Sequence, residues 1–120
     1  MELLKGVYAN PETVFSKLHP DFMLYSPGQN LIAGVFHGAE GMKAHFEQMD
    51  AMTSNTLTHN LTGTYLADGG WGMVVHRLTA QRNGKALDTQ GFGLWQFKDG
   101  LLSGHWESVG DQAHWDDFWS

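Results

Sequence analysis

The sequence predicts an α+β domain built on an antiparallel sheet, and three observations predict it. The second half of the 120-residue chain divides into four strand-like segments separated by tight turns. The first half instead carries apolar residues at helical spacing. Helices followed by a run of strands, rather than a regular alternation of the two, is the α+β pattern. The length sets the expectation of one domain over residues 1–120.

Residues 2–8 read as a short first helix, stopped by Asn10-Pro11. Pro11 suits the first position of a second helix with Asn10 as its cap, and Val14, Phe15 and Leu18 form the apolar stripe until Pro20 ends it. Residues 22–25 read as a short strand, broken by Ser26-Pro27-Gly28. Residues 31–36 are an apolar loop or strand fragment. Gly38 opens a helix to about Met52, where Met42, Phe46 and Met49 follow i, i+4, i+7 and give a core face. Thr53-Ser54-Asn55 stops it. Strands are expected over 56–66, 71–81, 86–97 and 101–109, and Asn83-Gly84 between apolar runs is the strongest hairpin signal among their turns. Asp111 caps a last segment, 112–119, with Ala113, Trp115, Phe118 and Trp119 apolar. That segment reads as core packing, as a lid, or as part of a dimer contact.

Composition excludes several classes of function. Cysteine is absent, which removes disulfides, a thiolate nucleophile and Cys-based zinc sites. Net charge is −6, and the seven Lys and Arg are scattered, so neither nucleic acid nor an anionic membrane surface is an expected partner. No apolar run approaches about 18 residues and none near Met1 resembles a secretion signal, so the expected location is cytoplasmic. The seven His include no His-Glu-x-x-His pattern, and neither a metal nor another cofactor is expected. Five Trp, seven Phe and six Met exceed the needs of a minimal core, and such side chains also line pockets for small hydrophobic molecules.

Several motifs in order resemble a known family. They are Tyr25-Ser26-Pro27-Gly28, Ala33-Gly34-Val35-Phe36-His37-Gly38, Trp95-Gln96-Phe97-Lys98-Asp99-Gly100, His105-Trp106-Glu107 and Asp116-Asp117-Phe118-Trp119. Together they resemble SnoaL-like domains of the nuclear transport factor 2-like superfamily, alongside ketosteroid isomerase. The resemblance implies a cone, the cystatin-like α+β barrel, in which the curved sheet wraps amphipathic helices and a ligand enters the open end. It also implies a homodimer through the outer sheet face. Ketosteroid isomerase places its base where Ser26 stands, and its protonated acid, a carboxyl kept neutral by an apolar site, where Gly93 stands. That mechanism is therefore not expected. Polyketide cyclases of the SnoaL type carry an acidic base directly after the last-strand Trp, and Glu107 stands there.

Alternation puts His105 and Glu107 on one side of the last strand and Trp106 on the other, and the pattern alone does not choose the inward side. The resemblance points His105 and Glu107 inward, with His76, Leu78, Thr89, Gly91, Gly93, Trp95 and Phe97 also on the concave face. Tyr25, Ser26, Phe46 and Val109 complete the candidate lining. Gly91 and Gly93 leave room for a ligand or mark a bend in the sheet. Glu107 is the candidate general base, with a pKa raised by its apolar surroundings, and His105 and His76 are candidate proton partners. The alternative places Glu107 on the rim or the convex face. Three functions remain: cofactor-free acid–base catalysis on a small apolar carbonyl or hydroxyl compound, non-catalytic binding of a hydrophobic metabolite, and a dimeric interaction domain with a vestigial pocket.

Overall fold

A computed structural model describes residues 2–120, and within them every side chain except those of residues 63–66. The first helix, α1, runs Glu2–Ala9 and buries Leu4 and Val7. The next segment, Pro11–Lys17, is a 3₁₀ helix rather than the expected α-helix, and Asn10 makes no side-chain cap bond. Instead the backbone N–H and the hydroxyl of Thr13 both donate to the Asn10 carbonyl, at 3.0 and 2.8 Å, closing the tight i, i+3 turn. Leu18, expected on that helix, opens strand β1, Leu18–Ser26. Pro20 therefore lies inside a strand. It sits where the pairing shifts register between Leu18 and Met23, so its missing N–H leaves no ladder bond unmade.

Strand β2, Gly34–His37, leads into helix α2, Gly38–Met52, which buries Met42, His45 and Met49. Ser54 and Asn55 end α2 in the left-handed region, with φ 52° and 62°. The meander follows as β3 (Thr58–Asp68), β4 (Trp71–Arg82), β5 (Lys85–Lys98) and β6 (Leu101–Val109). Helix α3, Gln112–Phe118, starts where the Asp111 carboxylate accepts the His114 N–H at 3.0 Å.

The sheet order is β2-β1-β6-β5-β4-β3. It is mixed rather than wholly antiparallel, because β1 pairs with β6 in parallel while the other neighbours are antiparallel. The parallel pair arises because α2 and the meander carry the chain back before β6 docks beside β1. Register shifts in β1, β3 and β5 bend the sheet, which stays open between its β2 and β3 edges.

One face of the sheet carries the helices, in two buried clusters. The first joins Leu4, Val7 and Val14 to Leu24, Met42, Trp95 and Leu102. The second joins Met49, Leu78 and Leu87 to Trp115, Phe118 and Trp119 of the last segment. The Asp116 carboxylate fastens α3 to the loop after β1, accepting the Gln29 N–H at 3.0 Å and the Asn30 side-chain N–H at 2.8 Å. Arg82 donates to the Phe118 carbonyl at 3.0 Å from the other side.

The outer face carries a row of paired apolar residues, Val35–Tyr25–Trp106–Leu94–Met73, one from each of five adjoining strands. Tyr25 stacks on Trp106 with centroids 4.9 Å apart, and Trp71 leans against Trp106 at 5.7 Å. Tyr25 is therefore not a residue of the concave side: Leu24 faces the helices, and alternation sends its neighbour outward. Among the described residues no helix is long and apolar enough to cross a membrane.

Candidate active site

A cavity of about 350 Å³ lies between the two clusters, within the size range of small-molecule sites. Sheet residues Leu24, Ser26, Leu78, Trp95, His105 and Glu107 face it, covered by Tyr8 and Val14, by His45, Phe46 and Met49 of α2, and by Trp115 of α3.

The floor is built across a strand. His76 belongs to β4 and Glu107 to β6, with β5 between them. In register, Gly91 stands beside His76 and Gly93 beside Glu107. A Cβ at position 91 would lie 2.6 Å from Glu107 Oε1 and 2.7 Å from His76 Nε2. With no side chain there, the two groups meet above the backbone, and His76 Nε2 and Glu107 Oε1 are 2.7 Å apart. The other carboxylate oxygen lies 3.1 Å from His105 Nε2. An ionised carboxylate only accepts, which assigns the Nε2–H tautomer to both rings. The Nδ1 atoms of His76 and His105 are buried with no partner among the described residues.

The Glu107 side chain is 13% exposed. Burial pushes its pKa up, as the apolar surroundings predict. The hydrogen bonds from His105 and His76 outweigh that effect and hold it at about 2. The expected upward shift is thus reversed, because both expected proton partners, His105 and His76, donate to the carboxylate and outweigh its burial.

A second polar contact sits above Gly93. The Trp95 indole N–H donates to the Tyr8 oxygen at 3.1 Å, and a Cβ on Gly93 would fall 2.7 Å from that oxygen. Burial, then the charge of Glu107, raises the Tyr8 pKa well above the ordinary phenol value. Tyr8 is therefore a neutral phenol whose own proton is free to donate. Its ring meets His76 edge-on at 5.4 Å, and His105 lies against Trp95 at 3.9 Å. His59 stacks on His76 at 5.7 Å, with ring planes 15° apart. Burial, then the neighbouring imidazole of His76, lowers the His59 pKa to about 4. Burial, then His105 and His59, does the same for His45.

The structure therefore brings Glu107, His105, His76, Leu78, Trp95, Ser26 and Phe46 to the concave side, with His76 touching Glu107 beneath the cavity rather than lining it. Tyr25, Thr89, Gly91, Gly93, Phe97 and Val109 do not line it. The space over Gly91 and Gly93 is filled by the protein's own Glu107, His76 and Tyr8, not left for a ligand. Phe97 follows the register shift in β5 and packs into the first cluster, while Val109 packs against the second. Thr89 is buried beside Leu78, its β4 partner. Sequence reasoning missed Tyr8, His45 and His59 as site residues. The strand glycines were the available signal, since they mark where large side chains converge.

Outcomes of two kinds are expected, the first from glycine substitutions. Gly91→Ala forces the His76–Glu107 contact apart and costs about 1–3 kcal/mol. Gly6→Ala, in open space on α1, stabilises by up to about 1 kcal/mol. Urea unfolding, with the His side-chain ¹⁵N spectrum for the contact, checks both, and an unperturbed spectrum in Gly91→Ala would contradict the geometry. The second kind concerns pH. His45 and His59 stay neutral in the fold down to about pH 4 but protonate near 6.5 when unfolded. The unfolded chain then binds more protons in that window, so stability falls as pH drops through it, by about 2 kcal/mol per imidazole between pH 7 and 5. Glu107 adds a further loss below about 4.5. Equal urea midpoints at pH 7 and 5 would refute the neutral imidazoles.

The model of the SnoaL-like domain matches residues 8–105. An uncharacterized protein of Mycobacterium tuberculosis H37Rv is 31% identical over 101 residues, covering 84% of this chain and 77% of that one. Bal32a, from a soil-derived mobile gene cassette, is 30% identical with a TM-score of 0.92, covering 99% of this chain and 95% of its own. TerC, co-crystallized with polyporic acid, shares the fold with a TM-score of 0.83 at 17% identity over 98% of this chain and 95% of its own. With the family's sequence pattern extending from α1 to the His105 of the cavity floor, the chain belongs to the SnoaL-like domain family.

Proposed function

We propose that this chain is a cofactor-independent acid–base enzyme for a small, largely apolar compound bearing a carbonyl or hydroxyl group. The observation that carries the reading is an ionised carboxylate gripped by two imidazoles at the floor of an otherwise aromatic and aliphatic cavity. A carboxylate held near 2 is a weak base by itself. Glu107 nevertheless lines the cavity and each of its oxygens keeps a second lone pair, so the substrate proton passes to the carboxylate, the electron pair it leaves moves onto the substrate oxygen, and the Nε2–H groups of His105 and His76 hold the carboxyl group in place. The Tyr8 hydroxyl, its oxygen already accepting from Trp95, donates to the substrate oxygen as negative charge develops there. TerC, of the same fold, has been co-crystallized with polyporic acid, which supports a small organic ligand.

Deuterium exchange tests the chemistry. Ketones and enols that raise the melting temperature are incubated in D₂O, and label at the carbon beside the carbonyl is followed by NMR. Glu107→Gln is expected to slow exchange about 10²-fold or more, and Tyr8→Phe about tenfold. If both variants exchange like wild type, catalysis is excluded. The cavity is then a binding module, a reading favoured by the engagement of both Glu107 oxygens.

We also propose that the outer face pairs two copies of the chain. Val35, Trp71 and Leu94 are 47%, 41% and 37% exposed on it, contiguous with Trp106. Light scattering should give twice 13.4 kDa for wild type and 13.4 kDa for Trp71→Lys/Leu94→Lys. A monomeric wild type would refute the pairing.

A further inference from the structure

The charges around the cavity are one-sided. Three acidic residues line it, Glu12, Asp50 and Glu107, and no Lys or Arg does so among the described residues. Glu107 lies on the floor, tied to its two imidazoles. Glu12 and Asp50 belong to exposed residues that nevertheless face the cavity, which places them at its mouth. Neither side chain has an ion-pair or hydrogen-bond partner among the described residues, whereas Lys43, the cation nearest along α2, is 3.9 Å from Glu47. The aromatic residues Tyr8, Phe46, Trp95 and Trp115 also line it.

We infer that the ligand carries a protonated amine, seated against the aromatic wall near Glu12 and Asp50, with its apolar body towards Trp95 and Glu107. The inference rests on reading the cavity as a ligand site, and it names the chemical class of what enters. Aromatic faces attract a cation within about 6 Å of the ring centroid. Carboxylates at the rim of a low-dielectric cleft concentrate cations and repel anions. The imidazoles of His45 and His59, which also line the cavity, add no opposing charge, because burial keeps them neutral at pH 7. A ligand bearing a carboxylate or phosphate would meet fixed negative charge with no lysine or arginine to answer it.

Three bicyclic probes of one shape separate the possibilities: 2-naphthylmethylamine, 2-naphthylmethanol and 2-naphthoate, each titrated calorimetrically into the full chain. The amine is expected to bind about tenfold tighter than the alcohol, and the naphthoate weaker than both. The advantage should shrink between about 20 and 300 mM salt. In Glu12→Gln/Asp50→Asn, two exposed substitutions, the amine should fall to the affinity of the alcohol while the alcohol is unchanged. Equal binding of all three, a naphthoate that matches the amine, an amine advantage that survives the double substitution, or no binding by any probe would each overturn the inference. Because the readout is affinity alone, loss of the exchange chemistry at Glu107 and loss of cation preference at the mouth are separate results.

Discussion

The Glu107 carboxylate, shared between imidazoles from β4 and β6, is the interaction on which the cavity depends. Removing a carboxylate from water costs several kcal/mol. Two hydrogen bonds to it return about 1.5–3 kcal/mol each. These magnitudes nearly cancel, so the cluster contributes little to stability. It also strands the Nδ1 atoms of His76 and His105 in the interior. A group of side chains that roughly breaks even, and leaves acceptors unmet, is not what holds the fold together. The surrounding Leu, Met and Trp clusters supply the stability that lets it persist.

The glycines of β5 belong to the same constraint. Strands two apart in a sheet are separated by about 9–10 Å, too far for most side chains to meet over an ordinary middle strand. Gly91 removes the obstacle between His76 and Glu107, and Gly93 makes room for the Tyr8 oxygen. Gly in a strand lowers its intrinsic stability, and here that weakness lies beneath a polar network that fixes the local geometry.

Much of the architecture is legible in the sequence because it repeats. Helix α2 and strand β6 match their expected bounds, since the 3.6-residue stripe and the Lys98-Asp99-Gly100 turn each have one sensible reading. The inward direction of Glu107 and His105 needs the family likeness, because both faces of β6 are chemically mixed. The pairing of His76 with Glu107 is expected on the same likeness, and spacing alone does not give it. The two lie 31 residues apart, and their contact depends on the register of two hairpins. Tyr8, on a two-turn helix, carries no periodic signal, and His59 acquires its role only through stacking on His76. The segment around Pro11 departs from its expected α-helix because Pro and a preceding Asn suit a 3₁₀ turn equally well. Tyr25 faces outward against expectation because one step along a strand exchanges inside for outside.

The hold of Asp116 on Gln29 and Asn30 has a consequence for biogenesis. Those partners are separated by 87 and 86 positions, and Trp115 beside Asp116 forms one wall of the cavity. A nascent chain emerging from the ribosome can form α2 and the first hairpins early. Its cavity stays unwalled on one side until the tryptophan-bearing segment has cleared the exit tunnel and docked against the loop after β1.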